Sequence, residues 1–266
     1  MRTKSAIGCM LLALALSLAL TSCVPLPGGP AVSLAPAPAT ARQGLEDRRL
    51  AVTSFTMSGE IEISAPQGEM NGDHLILGLA PDRLRAEVLG PFGQPLLRVV
   101  IDGRRMCVLA YRENRAYVGP ASRANLARFL GLSLSPAEVF AVLTGAPPLL
   151  PPPAKAEVTP VEHSDLLLLR LVEPGGQAVQ GLIFDPADFA VSRAWLEGPG
   201  GKTSLEMSFG LMQKALGSRY PRRLRATDGQ GRSLLLINSQ LKLNQAPDPA
   251  LFEVSVPPGL EVVRLP

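Results

Sequence analysis

Arg83-Leu84-Arg85-Ala86-Glu87-Val88-Leu89-Gly90-Pro91-Phe92-Gly93 alternates apolar and charged residues. Leu84, Ala86 and Val88 fall on one side of an extended chain, and Arg83, Arg85 and Glu87 fall on the other. That period of two is the mark of a strand with one buried face. Gly90-Pro91-Phe92-Gly93 then supplies turn residues, and Leu96 to Ile101 returns as an apolar stretch broken only by Arg98. The segment therefore predicts two antiparallel strands joined by a short turn.

The same pattern extends outward on both sides. Upstream, Phe55, Met57, Gly59, Ile61 and Ile63 share a face opposite Glu60 and Glu62, while His74, Ile76 and Gly78 oppose Leu75, Leu77 and Leu79. Downstream, Met106 to Tyr111 follows the Asp102-Gly103 turn. Pro66-Gln67-Gly68 and Ala80-Pro81-Asp82 punctuate the upstream strands. These read as five or six antiparallel strands. At Gly119-Pro120 the period changes. Ser122 to Leu130 places Leu126, Phe129 and Leu130 at helical spacing. Ser135-Pro136-Ala137-Glu138 is a helix start with a capping box. Val139, Phe140, Val142 and Leu143 form the apolar face, and Gly145 is the stop.

Strands resume after the Pro-rich connector Pro147 to Pro153. They are expected over Asp165 to Val172, Ala178 to Phe184, Ala190 to Leu196, Thr203 to Leu211, Tyr220 to Ala226, Ser233 to Leu243 and Leu260 to Leu265. Asp228-Gly229 reads as a hairpin turn and Pro247 to Phe252 as a single helical turn. Gln43 to Phe55 is expected to be an amphipathic helix with Thr40 as its cap. The sum is an α+β fold: one long curved antiparallel sheet of about eleven strands wrapped around two or three helices.

The N-terminal region reads differently. Arg2 and Lys4 precede an apolar run from Ile7 to Leu20, too short to span a bilayer with margin and typical of a secretory signal. Leu20-Thr21-Ser22-Cys23 resembles the bacterial lipobox. The resemblance implies that residues 1–22 are removed and that Cys23 is acylated with palmitate-type chains. Each buried methylene adds about 0.8 kcal/mol of membrane affinity. An ordinary signal peptide that happens to hold a cysteine is the alternative. Val24 after the cysteine points, by analogy with enterobacterial sorting, to the outer membrane. Residues 23–40 are rich in Pro, Ala and Gly and are expected to form a tether, leaving 41–266 as one domain.

Loss of Arg2 and Lys4 lowers the net charge from +3 to +1. No nucleic-acid partner is indicated. Cys107 is then the one remaining thiol, so no intramolecular disulfide forms; a small buried side chain in a strand is the simpler reading of it. His74 and His163 are far apart and lack metal-ligand spacing, so no metal or cofactor is expected. His163, Ser164 and Asp165 are consecutive, and adjacent strand positions point to opposite faces, which argues against a triad. With no GxSxG and no phosphate loop, no catalytic residue is assigned and an enzyme is not expected.

The ordered features together resemble the LolB family of outer-membrane lipoprotein receptors, of the LolA/LolB fold. They are an acylated cysteine, a linker, a short helix, Met57-Ser58-Gly59-Glu60-Ile61, the Arg83–Gly93 segment, and Leu134-Ser135-Pro136-Ala137-Glu138-Val139-Phe140-Ala141-Val142-Leu143-Thr144-Gly145-Ala146-Pro147. The resemblance implies an unclosed half-barrel lidded by helices. It implies a monomer that faces the periplasm, takes acylated lipoproteins from a periplasmic LolA-like carrier in a chaperone-like transfer, and delivers them to the outer membrane. Leu75, Leu77, Leu84, Val88, Val99, Phe129, Phe140 and Leu143 are the expected lining of an acyl cavity, or else the filling of a solid core. Gly90, Pro91, Phe92 and Gly93 are the expected membrane or partner insertion loop, with Phe92 either projecting from its tip or folded back on the sheet edge. Arg83 and Arg85 either meet headgroups or form a solvated strand face. A non-enzymatic accessory or sensor module on the same fold is the competing function.

Overall fold

The computed structural model describes residues 35–65, 68–130, 133–153 and 155–266. The expected signal segment, the acylation site Cys23 and the tether up to residue 34 lie outside the described residues, as do Pro66 and Gln67. Helix α1 (Pro38–Leu50) leads into strands β1 (Ser54–Ala65), β2 (Gly68–Leu79), β3 (Arg83–Leu89), β4 (Pro95–Asp102), β5 (Arg105–Ala110) and β6 (Arg115–Pro120). Helices α2 (Arg123–Leu130) and α3 (Pro136–Leu143) follow. Then come β7 (Lys155–Pro160), β8 (Leu167–Val172), β9 (Val179–Phe184), β10 (Val191–Glu197), β11 (Thr203–Ala215), β12 (Ser218–Asp228), β13 (Ser233–Leu243) and β14 (Glu261–Arg264). All of these elements lie within one self-contained unit, Ala35–Pro266.

The described residues hold fourteen strands rather than about eleven: β6 and β7 add to those expected, while β1, β2 and β11 are expected strands that run longer. They form one sheet in the order β14-β6-β5-β4-β3-β2-β1-β13-β12-β11-β10-β9-β8-β7. It is therefore two meanders, β1–β6 and β7–β13, fused by the pairing of β1 with β13. The two ends, β14 and β7, do not meet. Every pairing is antiparallel except β14 with β6, which is parallel.

Register puts the apolar positions on one face. Phe55, Met57, Ile61 and Ile63 of β1 stand opposite Leu243, Leu241, Leu236 and Leu234 of β13. Gly78, Ile76 and His74 of β2 stand opposite Leu84, Ala86 and Val88 of β3. Near Ser58 and Gly59 the β1–β13 register shifts by a bulge, and a Cβ at Gly59 would lie 2.1 Å from the Ile237 carbonyl oxygen. Gly78 is equally committed: a Cβ there would meet the Phe55 ring at 2.3 Å.

The capping box of α3 forms as its sequence requires. The Ser135 hydroxyl accepts from the Glu138 N–H, and the Glu138 carboxylate accepts from the Ser135 N–H at 2.7 Å. Gly145 ends the helix with φ 78°. Phe140 drives the helix into the sheet, its ring 5.0 Å from that of Phe55.

Helix α1 begins at Pro38 with Ala37 as its cap, and ends at Leu50, before the expected Phe55. Its inward residues are Ala41, Leu45 and Arg48, so the apolar stripe is too thin to set the boundaries. Arg48 is buried and donates to the Ser218 hydroxyl at 2.6 Å, to the Asp188 carbonyl at 3.3 Å and to the Arg219 carbonyl, and it lies over the Tyr220 ring. Asp188 in turn is clamped by the Arg219 guanidinium, which holds its carboxyl down to about 2.

The outer face is covered in part by the C-terminal segment. Val254, Val256 and Leu260 pack over Cys107, Leu109 and Ala116, and Phe252 is buried in a 3-10 turn (Pro249–Phe252) that lies against β3 and β4. Burial pushes the Cys107 thiol up from its ordinary range.

Candidate functional site

The inner face is not completely filled. An aliphatic cavity of about 80 Å³ lies between the sheet and α3. Ile61, Ile76, Leu84, Val88, Val99 and Leu236 line it from the strands, and Leu134, Val139, Val142 and Leu143 from the helical side. Its uppermost strand pair, Val88 opposite Leu97, is the last inward pair before the β3–β4 turn.

Of the residues expected to line a cavity, Leu84, Val88, Val99 and Leu143 do so. Phe140 is buried in the core against Phe55 rather than at the cavity wall. Phe129 packs its ring 5.1 Å from that of Tyr117. Leu75 and Leu77 belong to the outer face, because Ile76 takes the inward position between them; Leu75 is 37% exposed. Ile61, Ile76, Leu134, Val142 and Leu236 are among the other lining residues and are not among those expected to line a cavity. The period-two face of β1 already carried Ile61, whereas nothing local marks Leu134.

Phe92 projects from the turn with 93% of its surface exposed. The turn beneath it is well made: Gly93 N–H donates to the Gly90 carbonyl at 2.9 Å, Gly90 N–H to the Gln94 carbonyl at 2.8 Å, and Phe92 N–H to the Gln94 side-chain oxygen at 3.0 Å. Gly93 has φ 74°, a left-handed conformation that glycine takes at no steric cost. Pro91 and Gly93 are exposed as well. Arg85 is engaged with Glu87 and with the Leu251 carbonyl, while Arg83 is exposed. On β12, Arg222 donates to the Asn238 carbonyl at 2.7 Å, and Arg223 and Arg225 are exposed. His163, Ser164 and Asp165 sit in the exposed turn between β7 and β8. Among the described residues no cluster of His, Cys, Asp or Glu is arranged to hold a metal, and no helix is long and apolar enough to cross a membrane.

One polar pair interrupts the aliphatic interior. His74 Nε2 and Asn238 Oδ1 are 2.9 Å apart, both side chains buried, beside the bulge at Gly59. Burial pushes the imidazole below its ordinary pKa, against the smaller opposing effects of the Asn238 hydrogen bond, the Glu60 backbone and the Asp73 charge. The unfolded chain then binds the proton more readily than the folded one below about pH 6.5. Stability contributed by neutral His74 is present above that pH and is lost as pH falls toward the folded value, by up to about 1.4 kcal/mol per pH unit. Urea denaturation at pH 7.5 and pH 5.5 should show this loss in the wild type and a smaller one in His74→Gln. Equal losses in the two proteins would refute it.

No family model matches the chain, and no curated protein matches it in sequence. Solved structures do match. A LolA superfamily protein from Nitrosomonas europaea is 17% identical with a TM-score of 0.53, over 80% of this chain and 97% of that one. A DUF1329 family protein from Desulfovibrio piger is 14% identical with a TM-score of 0.54, over 81% and 97% respectively. At these identities the likeness is one of fold. The chain has a LolA-like fold: one unclosed, mostly antiparallel sheet with helices packed against it.

Proposed function

We propose that this protein is a lipid-anchored, LolB-like receptor of the outer membrane. It seats acyl chains between its sheet and helices, receives lipoproteins from a periplasmic LolA-like carrier, and passes them to the membrane. The observation that carries the reading is the all-hydrocarbon cavity under α3 in a fold of this type. An aliphatic chain moved from water into such a site is stabilised by roughly 25 cal/mol per Å² buried. At about 80 Å³ the cavity has room for only a few methylenes. A whole acyl chain therefore requires α3 and Leu134 to swing outward. Helix α3 has eight residues and rests on the sheet chiefly through side chains, which suits a lid. Cys23 is the acylation site in this reading, and Phe92 enters the membrane or a partner during transfer.

The small cavity also favours a second reading, an accessory or sensor module that uses the same fold for protein contacts and never opens. Native mass spectrometry of residues 35–266 mixed with an acylated lipoprotein separates the two. A one-to-one complex that requires the cargo's acyl chains supports the receptor. A bare protein that ignores acylated cargo rejects it. In a strain depleted of the protein, Phe92→Glu is expected to leave folding intact, since the side chain touches almost nothing. It should lower lipoprotein delivery at least about tenfold, because a charge at an insertion tip opposes entry into hydrocarbon. Unchanged delivery would remove Phe92 from the mechanism.

A further inference from the structure

Leu134 has two sides. It is buried, and it lines both the aliphatic cavity and a groove of about 640 Å³ beyond it. Leu149, Leu150, Leu205 and Met207 give the groove an apolar floor. One wall is the connector after α3, and the other is formed by the β10–β11 and β12–β13 turns.

The connector wall is built rather than loose. Gln180 is buried, accepts from the Leu150 N–H at 2.8 Å and donates to the Pro148 carbonyl at 2.7 Å. Arg42 of α1 donates to the Leu150 carbonyl at 2.9 Å. Both backbone groups of Leu150 are thus held by side chains from separate elements. The groove's volume falls within the range of ligand sites, about 300 to 1,000 Å³, and the cavity's does not.

Charge selects the occupant. Arg123 at the rim is paired with Glu138 at 2.5 Å, and Arg232 with Asp228 at 2.5 Å. Lys202, exposed on the same rim, has no carboxylate within ion-pair distance among the described residues. An apolar floor with one uncompensated cation at its mouth fits an amphiphile with a single anionic head.

We propose that this groove is the port by which an acyl chain reaches the interior. The anionic head rests against Lys202, the chain lies across Leu205 and Met207, and displacement of Leu134 joins groove to cavity. The proposal rests on the reading that the interior takes acyl chains, and it adds a ligand class, the free fatty acid, with the route and orientation of its chain. The ester- and amide-linked chains of a lipoprotein carry no anionic head and would pass the groove without engaging Lys202.

The test uses residues 35–266 and two palmitate probes, one with a photoreactive diazirine near the carboxylate and one near the methyl end, with cross-linked peptides mapped by mass spectrometry. The carboxyl-end probe is expected to label residues 199–205 and 229–232. The methyl-end probe is expected to label α3, β3 or β4. Lys202→Glu should weaken palmitate about five-fold and leave methyl palmitate unchanged. Saturable binding with labels at Gly90–Gly93, with the two ends reversed, or with Lys202→Glu affecting acid and ester alike would overturn the port and leave acyl binding standing. Absence of saturable binding by either probe would overturn both.

Discussion

Phe140→Ala is expected to destabilise the protein by about 3 to 5 kcal/mol, the range for removing a buried phenylalanine that cannot be replaced by collapse. The ring is 4% exposed and meets Phe55 at 5.0 Å with a 44° tilt, a geometry that adds to its burial. The helix that carries it has eight residues, too few to persist without tertiary packing. Losing the ring therefore loosens the lid as well as the core beneath it. Val139→Ala, on the same helix but only partly buried, should cost far less. Urea midpoints of the two variants provide the check, and a Phe140→Ala cost below about 1 kcal/mol would mean that α3 is held by something else.

Gly59→Ala is the second large effect. The new Cβ would stand 2.1 Å from the Ile237 oxygen and 2.8 Å from the Ser239 nitrogen. Both are backbone atoms of the neighbouring strand, so no side-chain rotation relieves the clash and the β1–β13 ladder must open locally. A cost of about 3 kcal/mol or more is expected, at the upper end for overpacking. Gly210→Ala is the control, because a Cβ there meets nothing within 4 Å. If the two variants unfold within about 1 kcal/mol of each other, the bulge is not the tight point that its geometry makes it.

Most of the strands could be read from alternation alone, and the capping box at Ser135 located α3 to the residue. The failures have specific causes. β6, Arg115-Ala116-Tyr117-Val118-Gly119-Pro120, is six residues long and ends in Gly-Pro, which reads as a stop. β7, Lys155 to Pro160, follows a run of prolines and lies at the sheet edge, the position where proline is tolerated. In β2, Leu75-Ile76-Leu77 is continuously apolar, so the run carries no phase of its own. The phase comes from Gly78, which must sit under the Phe55 ring, and from His74, which must reach Asn238. Both are long-range demands. The ends of helix α1 escaped because its most buried contact is Ala41 and its strongest anchor is an arginine. At the site, Leu84, Val88 and Val99 were accessible because period two places them. Leu134 was not, since it lies outside any regular element and its role depends on two separate voids meeting at one side chain.

The seam between the meanders also bears on how the chain is made. Across it the Ser239 hydroxyl donates to the Ser58 carbonyl, a contact between residues 181 apart in sequence. At synthesis rates of roughly 5 to 20 residues per second, β1 waits on the order of ten to forty seconds for its partner. Throughout that interval the nascent N-terminal meander presents a free strand edge, long and apolar on one face. This is a window in which aggregation competes with folding and in which an escort that covers the edge would matter most.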